Sequence, residues 1–211
     1  GNIYVTGIYY DDGNFGTFPL TNNGHTDIFV CKLDSDGNFL WAQGIGGPEY
    51  EYSNSITLEP SADGHDVYVT GSYQSTVDFD PGVGVTPLSS VAGSDDVFVL
   101  KLDEDGSFLW ARSMGGTESE TGNSISVHMG KVFLTGYFND TSPNDADFDP
   151  NGGTAYLVSN GEQDIFICSL TKDGDFDWAK QIGGLGHDYG NSITADASGN
   201  VYTTGSFYYP D

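Results

Sequence analysis

The sequence is short of four things, and each shortage excludes something. It carries 6 basic residues against 31 acidic ones, a formal net charge of −25. Phosphate backbones are held by Lys and Arg, so nucleic acid is excluded as a partner. Insertion into an anionic membrane is disfavoured on the same ground. Cations, basic proteins or a salty medium suit such a surface. Cysteine is nearly absent: Cys31 and Cys168 take the same place in two related segments where a third has Leu100. A position that accepts Cys or Leu reads as apolar core, not as a disulfide or a ligand. No apolar run approaches the ~18 residues of a membrane-spanning helix. Sustained helical spacing is also missing. No P-loop, nucleophile elbow or His-Glu-x-x-His occurs. His25, His65, His128 and His187 fall at unrelated places in the pattern, which argues against a zinc site or a shared general base.

What is present is a repeat. DIFVCKLDSDGNFLWAQGIGG (Asp27 to Gly47) returns as DVFVLKLDEDGSFLWARSMGG (Asp96 to Gly116) and as DIFICSLTKDGDFDWAKQIGG (Asp164 to Gly184). Trp41, Trp110 and Trp178 are spaced 69 and 68 residues apart. A second module alternates with it: GNIYVTG, HDVYVTG, GKVFLTG and GNVYTTG. A long fixed period marks a repeat architecture. Within a repeat, short alternating runs are divided by turn residues, the signature of strands. The second copy predicts strand a at Ser53 to Glu59, strand b at Asp66 to Tyr73, a loop from Gln74 to Ser94, strand c at Asp96 to Leu102 and strand d at Ser107 to Met114. Asp103 to Gly106 is the hairpin turn between c and d.

Four antiparallel strands joined in order make one propeller blade. The fold class is therefore all-β, with about three and a quarter blades. Residues 1–52 hold strands b to d of a partial blade and a linker, 53–121 and 122–189 are complete blades, and 190–211 give strands a and b of a fourth. One sheet cannot bury both faces alone, so blades stack, and the recurrent Trp is expected to pack between them. The chain opens without Met inside one repeat and stops at Pro210-Asp211 inside another, which reads as a piece of a longer protein whose remaining blades are its neighbours.

The modules GNVYxTG, DIFVxKLDxDGxFxWAxxxGG and GNSIT resemble the SBBP type of β-propeller repeat, found in large secreted or surface proteins of bacteria. The resemblance covers essentially the whole chain. It implies propeller blades, usually seven, an extracellular or cell-surface location, and no enzyme activity or catalytic residues. A weaker likeness to quinoprotein propellers rests on Gly37 to Trp41, but Asp34 stands one residue too close to the glycine for that motif.

In a propeller the d–a and b–c loops share one face and the a–b and c–d turns share the other. The first face then gathers Glu49, Glu51, Glu118, Glu120 and Asp188, each just after a Gly-Gly, and two Asp-Phe-Asp-Pro loops. Asp78 and Asp80, and again Asp147 and Asp149, put paired carboxylates on one side of an extended chain, a donor set suited to Ca²⁺. The competing reading has Phe79 and Phe148 anchoring the loop while Asp caps a turn. The first copy departs, with Asn14, Phe15 and Gly16 at these places. The expected role is a non-enzymatic scaffold binding surface or secreted proteins, or glycans. The alternative is a glycan hydrolase or lyase on the acidic face, for which Glu59, His128 and Asp196 are the non-repeated polar residues of strand a.

Overall fold

The computed structural model describes residues 1–208; Pro210 and Asp211 lie outside the described residues. β1 (Ile3–Tyr9) runs into a small hairpin, β2 (Gly13–Phe15) and β3 (Phe18–Leu20), then β4 (Asp27–Leu33) and β5 (Phe39–Ile45). β6 (Glu51–Ser61), β7 (Gly64–Tyr73), a second small hairpin of β8 (Thr76–Asp78) and β9 (Pro87–Ser89), β10 (Asp96–Leu102) and β11 (Phe108–Met114) follow. β12 (Thr121–His128), β13 (Lys131–Phe138), β14 (Asp164–Thr171) and β15 (Phe176–Ile182) come next, and β16 (Asp188–Ala195) and β17 (Val201–Phe207) end the series. The sheets are β1-β4-β5, β6-β7-β10-β11, β12-β13-β14-β15 and β16-β17, antiparallel throughout. These are propeller blades, referred to as first to fourth. Strand a of the second copy runs two residues further each way than the sequence pattern predicts, and the predicted b–c loop contains the hairpin β8–β9, pinned by the fully buried Val77.

The cores lie between blades. Ile28, Val30 and Trp41 of the first blade pack on Val67, Val69, Phe98 and Leu100 of the second. The alternate residues Tyr68, Val97, Val99 and Met114 pack on Val132, Leu134, Phe166 and Cys168 of the third. Both faces of β10 are thereby covered, and all seven of its residues are buried. Each large apolar side chain so enclosed contributes roughly 1.5–3 kcal/mol. Cys31 and Cys168 are buried free thiols.

The recurrent motifs have particular jobs. The Asn of Asn-Ser-Ile sits at a β-bulge in every strand a, between Ser53 and Ser55, Gly122 and Ser124, and Gly190 and Ser192. A bulge re-aims its side chain. Asn54 Nδ2 donates to the Gly122 carbonyl at 3.0 Å and Asn123 Nδ2 to the Gly190 carbonyl at 2.9 Å. Ser55 Oγ accepts from Ile125 N and Ser124 Oγ from Ile193 N, both at 3.2 Å. The Gly of Val-Thr-Gly faces this bulge: a Cβ on Gly71 would fall 1.7 Å from the Tyr52 carbonyl oxygen, and on Gly136 1.8 Å from that of Thr121. On strand d, Trp41 Nε1 donates to the Glu104 carbonyl at 3.0 Å and Trp110 Nε1 to the Lys172 carbonyl at 3.1 Å, each in the next blade's c–d turn.

Candidate functional site

The face carrying the d–a and b–c loops gathers most of the conspicuous chemistry. Its Asp-Phe-Asp-Pro loops are anchored by the aromatic ring: Phe79 stands between Tyr73 and Phe98, and Phe148 between Phe138 and Phe166. Phe15 fills the same place between Tyr9 and Phe29 in the first blade, although its flanking aspartates are missing. Asp78 Oδ1 accepts from Asp80 N and Thr86 N, at 3.1 and 2.8 Å, and Asp147 Oδ1 from Asp149 N and Ala155 N, at 3.0 and 2.8 Å. Asp80 and Asp149 accept from Gly82 N and Asn151 N. One oxygen of each carboxylate is therefore engaged in holding its turn.

On the opposite face the c–d turns are closed the same way. Asp34 Oδ1 caps Asp36 N and Asn38 N, and Asp103 Oδ1 caps Asp105 N and Ser107 N. Thr171 Oγ1 takes over in the third copy. Glu59, His128 and Asp196 stand at the a–b turns of three different blades. Glu59 accepts from Gly130 N and Tyr68 Oη, and Asp196 caps its own turn at Ser198 N and Asn200 N.

A denser arrangement lies at the d–a junctions. Each Gly-Gly brings the first Asp of strand c against the acidic residue that follows. Gly47 N donates to Glu51 Oε2 at 2.9 Å, Gly116 N to Glu120 Oε2 at 2.7 Å and Gly184 N to Asp188 Oδ2 at 2.7 Å. A Cβ on Gly46 would lie 2.1 Å from Asp27 Cγ, and one on Gly115 2.6 Å from Glu120 Oε2 and 2.7 Å from Asp96 Cγ. Glycine is what permits this approach. Asp27, Glu51, Asp96, Glu120, Asp164 and Asp188 are all buried. Burial pushes Glu51 and Asp96 up to about 7. Glu120 is driven well above the carboxylate range, first by burial and then by contact with Asp140. Asp140, at the start of the third blade's b–c loop, is fully buried, and both of its carboxylate oxygens lack a hydrogen-bond partner. Sequence reasoning noted Glu51, Glu120 and Asp188 as an acidic cluster but missed Asp27, Asp96, Asp164 and Asp140. Among the described residues, no three or more His, Cys, Asp or Glu side chains are grouped at ion-holding spacing.

Between the second and third blades the same face opens into a cavity of about 220 Å³ lined by Tyr52, Asn54, Ser72, Asp95, Thr121 and Tyr137. Asp95 is oriented by Gln74 Nε2 at 3.2 Å and Ser119 Oγ at 3.5 Å. Beside Tyr52 the rings of Tyr50 and His25 continue a stack, with Tyr50 and Tyr52 parallel to within 4°. Beyond Tyr137 comes Tyr189, edge-on at 5.1 Å. Four of the 6 basic side chains are used elsewhere: Lys32 pairs with Glu104, Lys101 with Asp66, Lys131 with Asp177, and Arg112 holds the Gly174 and Asp173 carbonyls. No helix among the described residues is long and apolar enough to cross a membrane.

Residues 177–206, from β15 through β17, match the family model of the SBBP β-propeller repeat. The chain is similar to an uncharacterized WD repeat-containing protein of Acanthamoeba polyphaga mimivirus, 26% identical over 84% of this chain and 14% of the relative. It is also similar to the regulatory protein FlaEY of Caulobacter vibrioides, 27% identical over 92% of this chain and 19% of the relative. The chain thus spans less than a fifth of the length of either curated relative.

Proposed function

We propose that the chain, whose residues 177–206 match the SBBP β-propeller repeat, is a non-enzymatic scaffold of a secreted or surface-exposed bacterial protein, binding neutral glycans in the groove between its second and third blades. The observation that carries this reading is the lining of that groove. Tyr52 and Tyr137 contribute aromatic rings to it, and Asn54, Ser72, Asp95 and Thr121 contribute hydrogen-bonding groups. A sugar presents a C–H face to an aromatic ring and hydroxyls to a carboxylate or amide, so mixed linings of this kind suit it. The acidic surroundings repel anionic glycans and phosphates. The blades supply rigidity and spacing, and the loops on one face supply recognition.

The test is retention of the chain on immobilised neutral polysaccharides, compared with Tyr52→Ala and Tyr137→Ala. Each substitution is expected to weaken retention by about fivefold, because a stacking contact supplies roughly 1 kcal/mol. Equal retention of all three proteins overturns the glycan assignment. Cleavage products released from any bound polysaccharide would place the chain among the glycan hydrolases or lyases.

A further inference from the structure

The carboxylates at the junction of the second and third blades have more acceptors than the protein has donors. Asp140 is fully buried, and neither of its carboxylate oxygens has a partner. Glu120 Oε1, also buried, has none either. Glu120 Oε2 is taken by Gly116 N, and the two oxygens of Asp96 accept from Val91 N and from Ser113 Oγ. The side chains of Glu120 and Asp140 are in direct contact, with Asp96 close behind. Among the described residues no ion pair reaches Glu120 or Asp140, and Lys32, Lys101, Lys131 and Arg112 are engaged by other groups. Three buried oxygens therefore need electropositive partners. One shared proton joins only two oxygens, whereas one cation can meet all three.

Asp140 also has no structural task that would explain it. Its main chain does the ordinary work of this position, since its carbonyl accepts from Ser159 N at 2.7 Å as the Ser75 carbonyl accepts from Ser90 N at 2.8 Å in the blade before. The equivalent residue there is Ser75, and no third carboxylate joins Asp27 and Glu51. A buried charge that caps nothing and pairs with nothing is costly, and binding a cation is one of the few ways to offset it.

We propose that Glu120 and Asp140 form a buried binding site for a divalent, oxygen-seeking cation of the Ca²⁺ class, and that this ion clamps the b–c loop of the third blade onto its junction with the second. Hard oxygen donors favour Ca²⁺ over softer metals, and these two side chains would supply three of the six to eight oxygens it takes. The site is separate from the Asp-Phe-Asp-Pro loops.

The experiment is a thermal melt of the chain at pH 7.5 in chelator, in Ca²⁺ and in Mg²⁺, repeated with Asp140→Ser, which takes the residue of the preceding blade, and with Asp78, Asp80, Asp147 and Asp149 all changed to Asn. Saturating Ca²⁺ is expected to raise the melting temperature of the unaltered chain by roughly 5–10 °C. Asp140→Ser should abolish the rise, and the fourfold Asn variant should keep it. No rise in the unaltered chain overturns the site, as does a rise that Asp140→Ser retains. Should Asp140→Ser fail to fold, equilibrium dialysis of Ca²⁺ against Glu120→Gln decides, with loss of bound ion supporting the site and undiminished binding overturning it.

Discussion

Between the first and second blades, Asp27 and Glu51 meet at Gly46-Gly47; between the second and third, Asp96 and Glu120 meet at Gly115-Gly116 and Asp140 joins them. The inter-strand bonds at the two places are alike, and so are the glycines and the buried acids. They part at one residue of the b–c loop, where Ser75, in left-handed backbone at φ 61°, donates its N–H to Ser90 Oγ. Asp140 instead turns an unpaired carboxylate inward. The repeated residues explain how the blades hold together, and the single departure from the repeat marks where something other than cohesion is served.

The largest effect expected from this comparison is on pH dependence. Burial holds Glu51 and Asp96 near 7 in the folded chain, against about 4 in the unfolded chain. At these two groups the folded state keeps protons that the unfolded state releases, so the stability they contribute is fully present below about pH 4 and is lost as the pH rises through 7. Each group should account for a loss of about 3 kcal/mol by pH 8 in the absence of divalent ions. Glu51→Gln should remove the share of the first junction and Asp96→Asn that of the second, read from melting temperatures between pH 4 and 8. If both variants keep the slope of the unaltered chain, the two junctions do not titrate as described.

A smaller effect separates the junctions sterically. The atoms nearest a Cβ at position 115 belong to two buried carboxylates, Glu120 and Asp96, whereas the three nearest at position 46 all belong to Asp27. One side chain can rotate away more readily than two. Gly115→Ala is expected to cost about 2–4 kcal/mol and Gly46→Ala about half as much. Denaturant midpoints of the two variants check the ranking, and equal losses would remove the distinction. The smallest effect is the control: Asn54→Ala and Asn123→Ala each delete one inter-blade hydrogen bond, and each should cost about 1 kcal/mol. Unequal costs would mean that the shared ladder differs between the junctions.

The blade architecture was legible because strands, turns and tryptophans recur in register. Phe79 and Phe148 could be singled out as loop anchors because Phe15 keeps the ring where its neighbours change. The acids after each Gly-Gly were visible as a cluster. Asp27, Asp96 and Asp164 were not, because each opens a strand and reads as part of its alternating pattern; only the folded chain shows them turned against the next glycine pair. Asp140 was hidden for the opposite reason. It has no counterpart in the neighbouring blade, and comparison of copies passes over what occurs once. Glu59, His128 and Asp196 are non-repeated too, yet Glu59 and Asp196 serve the backbone of their turns, so singularity alone does not identify a site.

The bulged asparagines give the chain a direction. Asn54 reaches forward to Gly122, and Asn123 forward to Gly190. A duplication or excision of one whole period, 68 or 69 residues, would leave every such donor facing an acceptor, wherever in the period the cut fell. An insertion of another length within a strand would strand a donor or misplace a tryptophan, whereas the b–c loops already differ in length between copies. Exchange of whole periods therefore keeps the bond at each junction it creates, so the repeat, and not the single strand, is the unit in which this ladder can be rearranged.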